Sequence, residues 1–199
     1  MRRRNFINQI TALGSLTLTG FPQLACTAPS KYKMGLQLFS VRDAMAEDPL
    51  GTLKKVKAMG YKDFETYGFN PDTKRIYGLE VGEFKMVLDD LGLTTTSGHY
   101  AFSDYFNAKE DKLKEFVDQC IEASKILNAP YITWPWVHPD QRNSESFKIL
   151  ADKLNRIGEQ AKGAGLGFAY HNHGYEFENW EGSSGHDILM QITDPELVK

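Results

Sequence analysis

Cysteine is nearly missing from this chain. Its 199 residues hold two, Cys26 and Cys120, far apart and without a CxxC spacing, so neither a zinc knuckle nor a thiol redox motif is in view. A basic excess is missing as well. The formal net charge is −3, whereas proteins that grip nucleic acid usually carry a basic face. No glycine-rich turn follows the first strand-like run, which leads instead into Ser40-Val41-Arg42-Asp43; a Rossmann dinucleotide site would want glycines there. No segment after the first thirty residues is apolar enough to span a bilayer.

What is present starts with an export-like N-terminus. Arg2, Arg3 and Arg4 precede a mildly apolar run, 10–21 (ITALGSLTLTGF), too short and too polar to cross a membrane. Arg3-Arg4-Asn5-Phe6-Ile7 resembles a twin-arginine export motif, and Leu24-Ala25-Cys26 resembles the end of a lipoprotein signal. Cys26 is therefore a candidate lipid anchor; cleavage near Ala28 fits too. Residues 1–30 read as an export signal and 31–199 as one domain, placed in the periplasm or cell envelope of a bacterium. With 41% hydrophobic residues, the chain suffices for one sizeable core.

From residue 33 onward, strand-like runs alternate with amphipathic helical patterns. Strands are expected at 34–40, 61–67, 93–99, 131–134 and 166–171, and helices at 49–60, 79–91, 108–127, 144–164 and 184–192. Cys120 falls on the apolar stripe of the third helix and reads as core. Strand starts recur about every βα unit, and helices between strands require a parallel sheet. The chain thus reads as an α/β fold: a (β/α)8 TIM barrel of which it covers about the first five βα units. Polar residues cluster at the C-terminal strand ends, where such a barrel keeps its active site. The clusters are Gln37 and Ser40; Asp63 and Glu65; Ser97 and His99; Thr133 and Trp134; His171 and His173. Period two puts Gly167, Ala169, His171 and His173 on one face of the fifth strand and Phe168 and Tyr170 on the other. Glu65, His99, His171 and His173 should then converge on one mouth.

GLQLFSVRD (35–43), GYKDFETYGF (60–69), TSGHY (96–100) and AYHNHGYEFE (169–178) together resemble the sugar phosphate isomerase/epimerase family, xylose isomerase-like barrels related to endonuclease IV. The resemblance runs from about residue 33 to the end. It implies a divalent metal at the C-terminal mouth, often manganese, held by a carboxylate from strand five and by Asp, His and Glu from strands six to eight. Here the strand-five position holds His171, which moves the resemblance toward inosose dehydratase-like members. The remaining ligands are expected beyond Lys199, and the chain is expected to be C-terminally incomplete.

The implied chemistry is proton abstraction from a carbon beside a carbonyl, through an enediolate, by an isomerase or epimerase acting on a sugar or sugar derivative. A divalent metal can stabilise that charge, and a neutral histidine or a carboxylate can act as base. Manganese or magnesium suits oxygen-rich sites; histidines shift the balance toward zinc. Candidate catalytic residues are Glu65, His99, His171 and Glu176. Candidate metal ligands are His171, His173 and Glu176. Gln37, Trp134, Trp136 and His173 are candidate substrate contacts, the tryptophans as sugar-stacking platforms. Bland alternatives stand beside each: a Glu65 ion pair with Arg42, a strand-end cap at His99, a salt bridge at Glu176, packing for the tryptophans. His138 and His186 read as surface residues. A lyase or dehydratase on keto-sugars or keto-glycosides is the competing enzyme class, and a non-catalytic sugar-binding protein the competing non-enzyme class. An HNH nuclease is disfavoured, because His171 and His173 follow a barrel-type strand in an acidic chain. A small carbohydrate is the expected partner and nucleic acid is not; a homo-oligomer is left open.

Overall fold

The structure, a computed structural model, describes residues 32–180 and 182–199. The expected export segment, with Cys26, lies outside the described residues. Lys33–Lys199 form one compact unit. Among the described residues no helix is long and apolar enough to cross a membrane.

Five parallel strands lie side by side in chain order: β1 (Gly35–Gln37), β2 (Asp63–Thr66), β5 (Thr94–His99), β6 (Tyr131–Trp134) and β7 (Gly167–Tyr170). Helices α1 (Arg42–Glu47) and α2 (Pro49–Ala58), α3 (Val81–Asp90), α4 (Glu110–Leu127) and α5 (Ser144–Gly163) fill the connections, and α6 (Gly185–Ile192) follows β7. Each helix buries the stripe its periodicity marks out. In α4 this is Leu113, Phe116, Val117, Cys120, Ile121 and Leu127, ending where Asn128 turns left-handed at φ 56°. Cys120 is a free, buried thiol. In α5 it is Phe147, Leu150, Leu154 and Ile157, started by the Asn143 side chain, which accepts the Ser146 N–H at 2.9 Å.

Strand pleating sorts the sheet into two faces. Phe64, Ile132, Trp134 and Phe168 lie buried beneath the helices. Gln37, Glu65, Ser97, Thr133 and Ala169 are on the other face, where Ser97 Oγ and Thr133 Oγ1 sit 2.7 Å apart. A register shift between Phe64 and Glu65 brings Ser97, rather than Thr96, opposite Glu65. At the end of β7 the ladder runs one residue further, with His171 N–H donating to Trp134 O at 3.0 Å. Along the other edge of β7, Tyr170 N–H donates to Lys199 O and Lys199 N–H to Phe168 O.

Two local features differ from the sequence expectation. β1 stops at Gln37 because its side chain accepts the Phe39 N–H and starts a 3-10 turn over Leu38–Val41. Residues 79–80 are not helical but pair as β4 (Leu79–Glu80) with β3 (Arg75–Ile76). Tyr77 and Gly78, both at positive φ, form the tight turn between them. A second small hairpin, β8 (Asn179–Trp180) with β9 (Ser183–Ser184), precedes α6.

Candidate active site

The C-terminal ends of β1, β5, β6 and β7 open into a cavity of about 700 Å³. That is within the range typical of small-molecule sites, roughly 300–1,000 Å³. Gln37, His99, Trp136, His171 and His173 line it, as expected; Tyr67, Arg142 and Tyr175, which sequence patterning had not singled out, line it too.

One wall is a row of rings. His99 and His171 pack edge to face with centroids 5.1 Å apart, His171 and His173 do the same at 4.8 Å, and His173 stacks on Tyr175 at 5.3 Å. At the inner end, His99 Nε2 lies 3.0 Å from Glu65 Oε2. The approach is bent, so the ring N–H has no straight acceptor. Glu65 therefore pairs with His99, not with Arg42. Arg42 lies 3.8 Å from Asp43 at the surface.

Gln37 fixes which nitrogen of His99 carries the proton. Its Oε1 is committed to the Phe39 N–H, which can only donate. The amide nitrogen must then face His99 Nδ1, 3.0 Å away, and donate to it. The His99 proton sits on Nε2, toward Glu65. Gln37→Glu keeps an acceptor for Phe39 but replaces the donor facing His99. The expected outcome is a proton on Nδ1, read as a changed imidazole ¹⁵N spectrum with backbone shifts otherwise retained.

Burial tends to raise the Glu65 carboxyl, but contact with His99, the Ser97 hydroxyl and the nearby His171 outweigh it and hold the group below its ordinary range. Burial and the neighbouring His99 and His173 push His171 below the ordinary histidine value, with Glu65 and Glu176 opposing. His171 is thus a neutral imidazole at pH 7, able to accept a proton. Both shifts have one consequence for stability. As pH falls, the unfolded chain takes up these protons before the native state does, so native stability is lost on acidification.

Two expected site residues lie elsewhere. Trp134 is fully buried, stacked on Phe102 at 5.4 Å, with its indole N–H donating to Trp136 O at 2.7 Å. It shares the helix-facing side of β6 with Ile132, so it is packing and not a sugar platform. Trp136, 36% exposed, remains on the cavity wall. Glu176 is also fully buried. The 3-10 turn Tyr175–Phe177 folds it back beneath the loop, where it accepts from the Tyr170 hydroxyl at 2.6 Å and from the His173 N–H at 2.7 Å. It fastens the His173 loop to β7 instead of facing the cavity. His138 packs against Trp136 and lies 3.5 Å from Asp104, and His186 stacks on Phe177.

A parallel sheet in chain order with ionisable groups gathered at its C-terminal rim is barrel architecture, and a family model described as xylose isomerase-like TIM barrel matches residues 53–197. The chain belongs to the xylose isomerase-like TIM barrel family. A solved sugar phosphate isomerase/epimerase from Parabacteroides distasonis ATCC 8503 matches with a TM-score of 0.74 and 26% identity over 86% of this chain and 65% of its own. A second from the same organism matches at 0.73 and 26%, over 83% and 67%. A xylose isomerase-like TIM barrel protein from Mycobacterium smegmatis, solved with magnesium, shares the fold at 0.60 and 14%, over 84% and 63%. This family member thus spans about two thirds of the length of these relatives. No curated protein matches it.

Of the three side chains expected here to hold a divalent ion, two reach the cavity and one does not. His171 and His173 face the cavity, but both Glu176 oxygens are engaged below the loop. Among the described residues, no group of three His, Cys, Asp or Glu side chains is arranged to hold a metal. His99, the other imidazole nearby, is already held by Gln37.

Proposed function

We propose that this chain acts on a sugar or sugar derivative as an isomerase or epimerase, moving a proton on the carbon beside a carbonyl. The observation that carries the reading is the row His99–His171–His173 along one wall of a sugar-sized cavity, with Glu65 behind His99. The two relatives at 26% identity, themselves sugar phosphate isomerases/epimerases, support it.

In this mechanism His171 takes the proton. It is neutral, faces the cavity, and has the Glu65 charge nearby to favour the imidazolium once formed. His99, its proton set on Nε2 by Gln37, holds the Glu65 carboxylate behind that step. The His171 imidazolium returns the proton, to the same carbon or to its neighbour across the enediolate, and His173, fixed through its backbone by Glu176, stands beside it in the row. Trp136 offers its exposed face to the apolar side of a sugar ring. Among the described residues no carboxylate lines the cavity, so charge developing on the substrate oxygen meets imidazole and guanidinium groups.

The test is product analysis by NMR with a panel of ketoses, keto-glycosides and their phosphates. An isomeric sugar is the expected product. Release of a leaving group would make the protein a lyase instead, and binding without turnover would make it a sugar-binding protein. Because His171 protonates only below the ordinary histidine value of 6.5, the acid limb of kcat/KM is expected below pH 6.5. A limb above that value would remove His171 from the role of base.

A further inference from the structure

Arg142 sits on the cavity wall with its charge uncompensated. The guanidinium lies over the Tyr175 ring, 3.6 Å from the centroid. Its Nε and Nη2 both donate to Val137 O, at 3.2 and 3.1 Å. The Tyr175 hydroxyl in turn accepts the Val137 N–H at 3.0 Å, so ring, carbonyl and arginine form one braced unit. Among the described residues Arg142 makes no ion pair, although surface Arg75 and Arg156 both do. Nη1 has no partner among the described residues. A half-buried arginine ordinarily finds a carboxylate; this one is immobilised without one and lines an open cavity.

Nothing in the described lining offsets it. Arg42 lies on the wall too, the His171 imidazole is neutral, and among the described residues no Asp or Glu lines the cavity. This holds in a chain whose net charge is −3. Local charge therefore runs against overall charge at one place, the place where a ligand fits.

We propose that Arg142 is an anion-binding residue of this cavity, and that the sugar derivative it takes carries an anionic oxygen group, a carboxylate or a phosphate. The inference rests on the sugar reading above for the identity of the ligand's body, but not for its charge. A planar guanidinium held by stacking and one carbonyl presents its free N–H edge in a fixed direction, which suits oxyanions. His171 and His173 lie on the same wall, and His173 stacks on the same Tyr175 ring that carries Arg142. An anionic group at Arg142 would therefore leave the sugar body alongside the histidines.

The experiment is calorimetric titration of the full chain with four probes: a neutral ketose, its phosphate ester, a sugar acid of matched size, and inorganic phosphate. The same titrations are made on Arg142→Met, which keeps an apolar stem against Tyr175 but removes the charge. An anionic sugar is expected to bind roughly tenfold or more tightly than the neutral one. Arg142→Met should erase that advantage, bringing the anionic sugars to the affinity of the neutral ketose. Phosphate ester preferred over sugar acid, or the reverse, identifies the group. Equal binding of neutral and anionic sugars overturns the inference and leaves the sugar reading standing. Binding of inorganic phosphate in an Arg142-dependent way, with no sugar bound, supports the anion site and overturns the sugar reading. An anion preference that survives in Arg142→Met overturns the assignment to this residue.

Discussion

His171→Ala is expected to lower kcat by about a thousandfold, in the middle of the range for loss of a general base, while leaving the fold intact. The two halves of this expectation have separate grounds. The His171 side chain is exposed to the cavity and makes no side-chain hydrogen bond among the described residues; its structural tie is the backbone N–H to Trp134 O, which alanine keeps. A thermal unfolding midpoint close to the native value should therefore accompany the loss of turnover. His99→Ala should behave differently, because His99 holds Gln37 on one side and Glu65 on the other. Its removal leaves a half-buried carboxylate without its partner, and stability should fall together with activity. A His171→Ala variant with native kcat would move the proton-transfer role to another residue.

Trp134→Ala is expected to cost about 3–5 kcal/mol of folding stability, the range for deleting a large buried aromatic. Trp134 is fully enclosed, stacked on Phe102 and edge-on to Phe106. Its N–H also holds Trp136 O, which the Ser103 hydroxyl shares. Trp134→Phe should recover part of the loss by refilling the space, yet leave the carbonyl with one donor fewer, at about 1 kcal/mol. Trp136→Ala should change stability little and weaken substrate binding, since its ring is partly exposed on the cavity wall. Denaturant midpoints and KM for the three variants separate the two roles. A Trp134→Ala variant of near-native stability would mean that the ring is not part of the core.

These two tryptophans show how far the sequence could be read. The alternation of small and aromatic residues in 167–171 placed His171 toward the mouth, because period two is a property of any strand. Applied to YITW, the same rule pairs Trp134 with Ile132 and sends both under the helices, against the expectation that its aromatic face stacks on a sugar ring. Glu176 was harder. Nothing in HGYEF says that a 3-10 turn will fold the carboxylate back to meet the Tyr170 hydroxyl and the His173 N–H, since that depends on loop geometry. Gln37 was read as a sugar contact, and its capping of the 3-10 turn after β1 was hidden by a hydrophobic run that continues past it. Arg142 carried a readable signal. It lies in the loop after β6, on the side of the sheet where a barrel gathers its functional groups, and no acidic residue in that loop is spaced to neutralise it on a helix face. The order and type of the main elements were legible throughout, because each helix buries a clear apolar stripe and each parallel strand is short and bounded by Gly, Pro or Asn.

Under the proposed mechanism a proton is exchanged between sugar carbon and His171 in this cavity. The measurement that tests it most directly is deuterium wash-in. Neutral and anionic ketoses are incubated with the native chain in D₂O, and the carbon beside the carbonyl is followed by NMR. Incorporation at that carbon is expected with at least one ketose, and none above background with His171→Ala. No incorporation by the native chain across the panel, or equal incorporation by the variant, would contradict it.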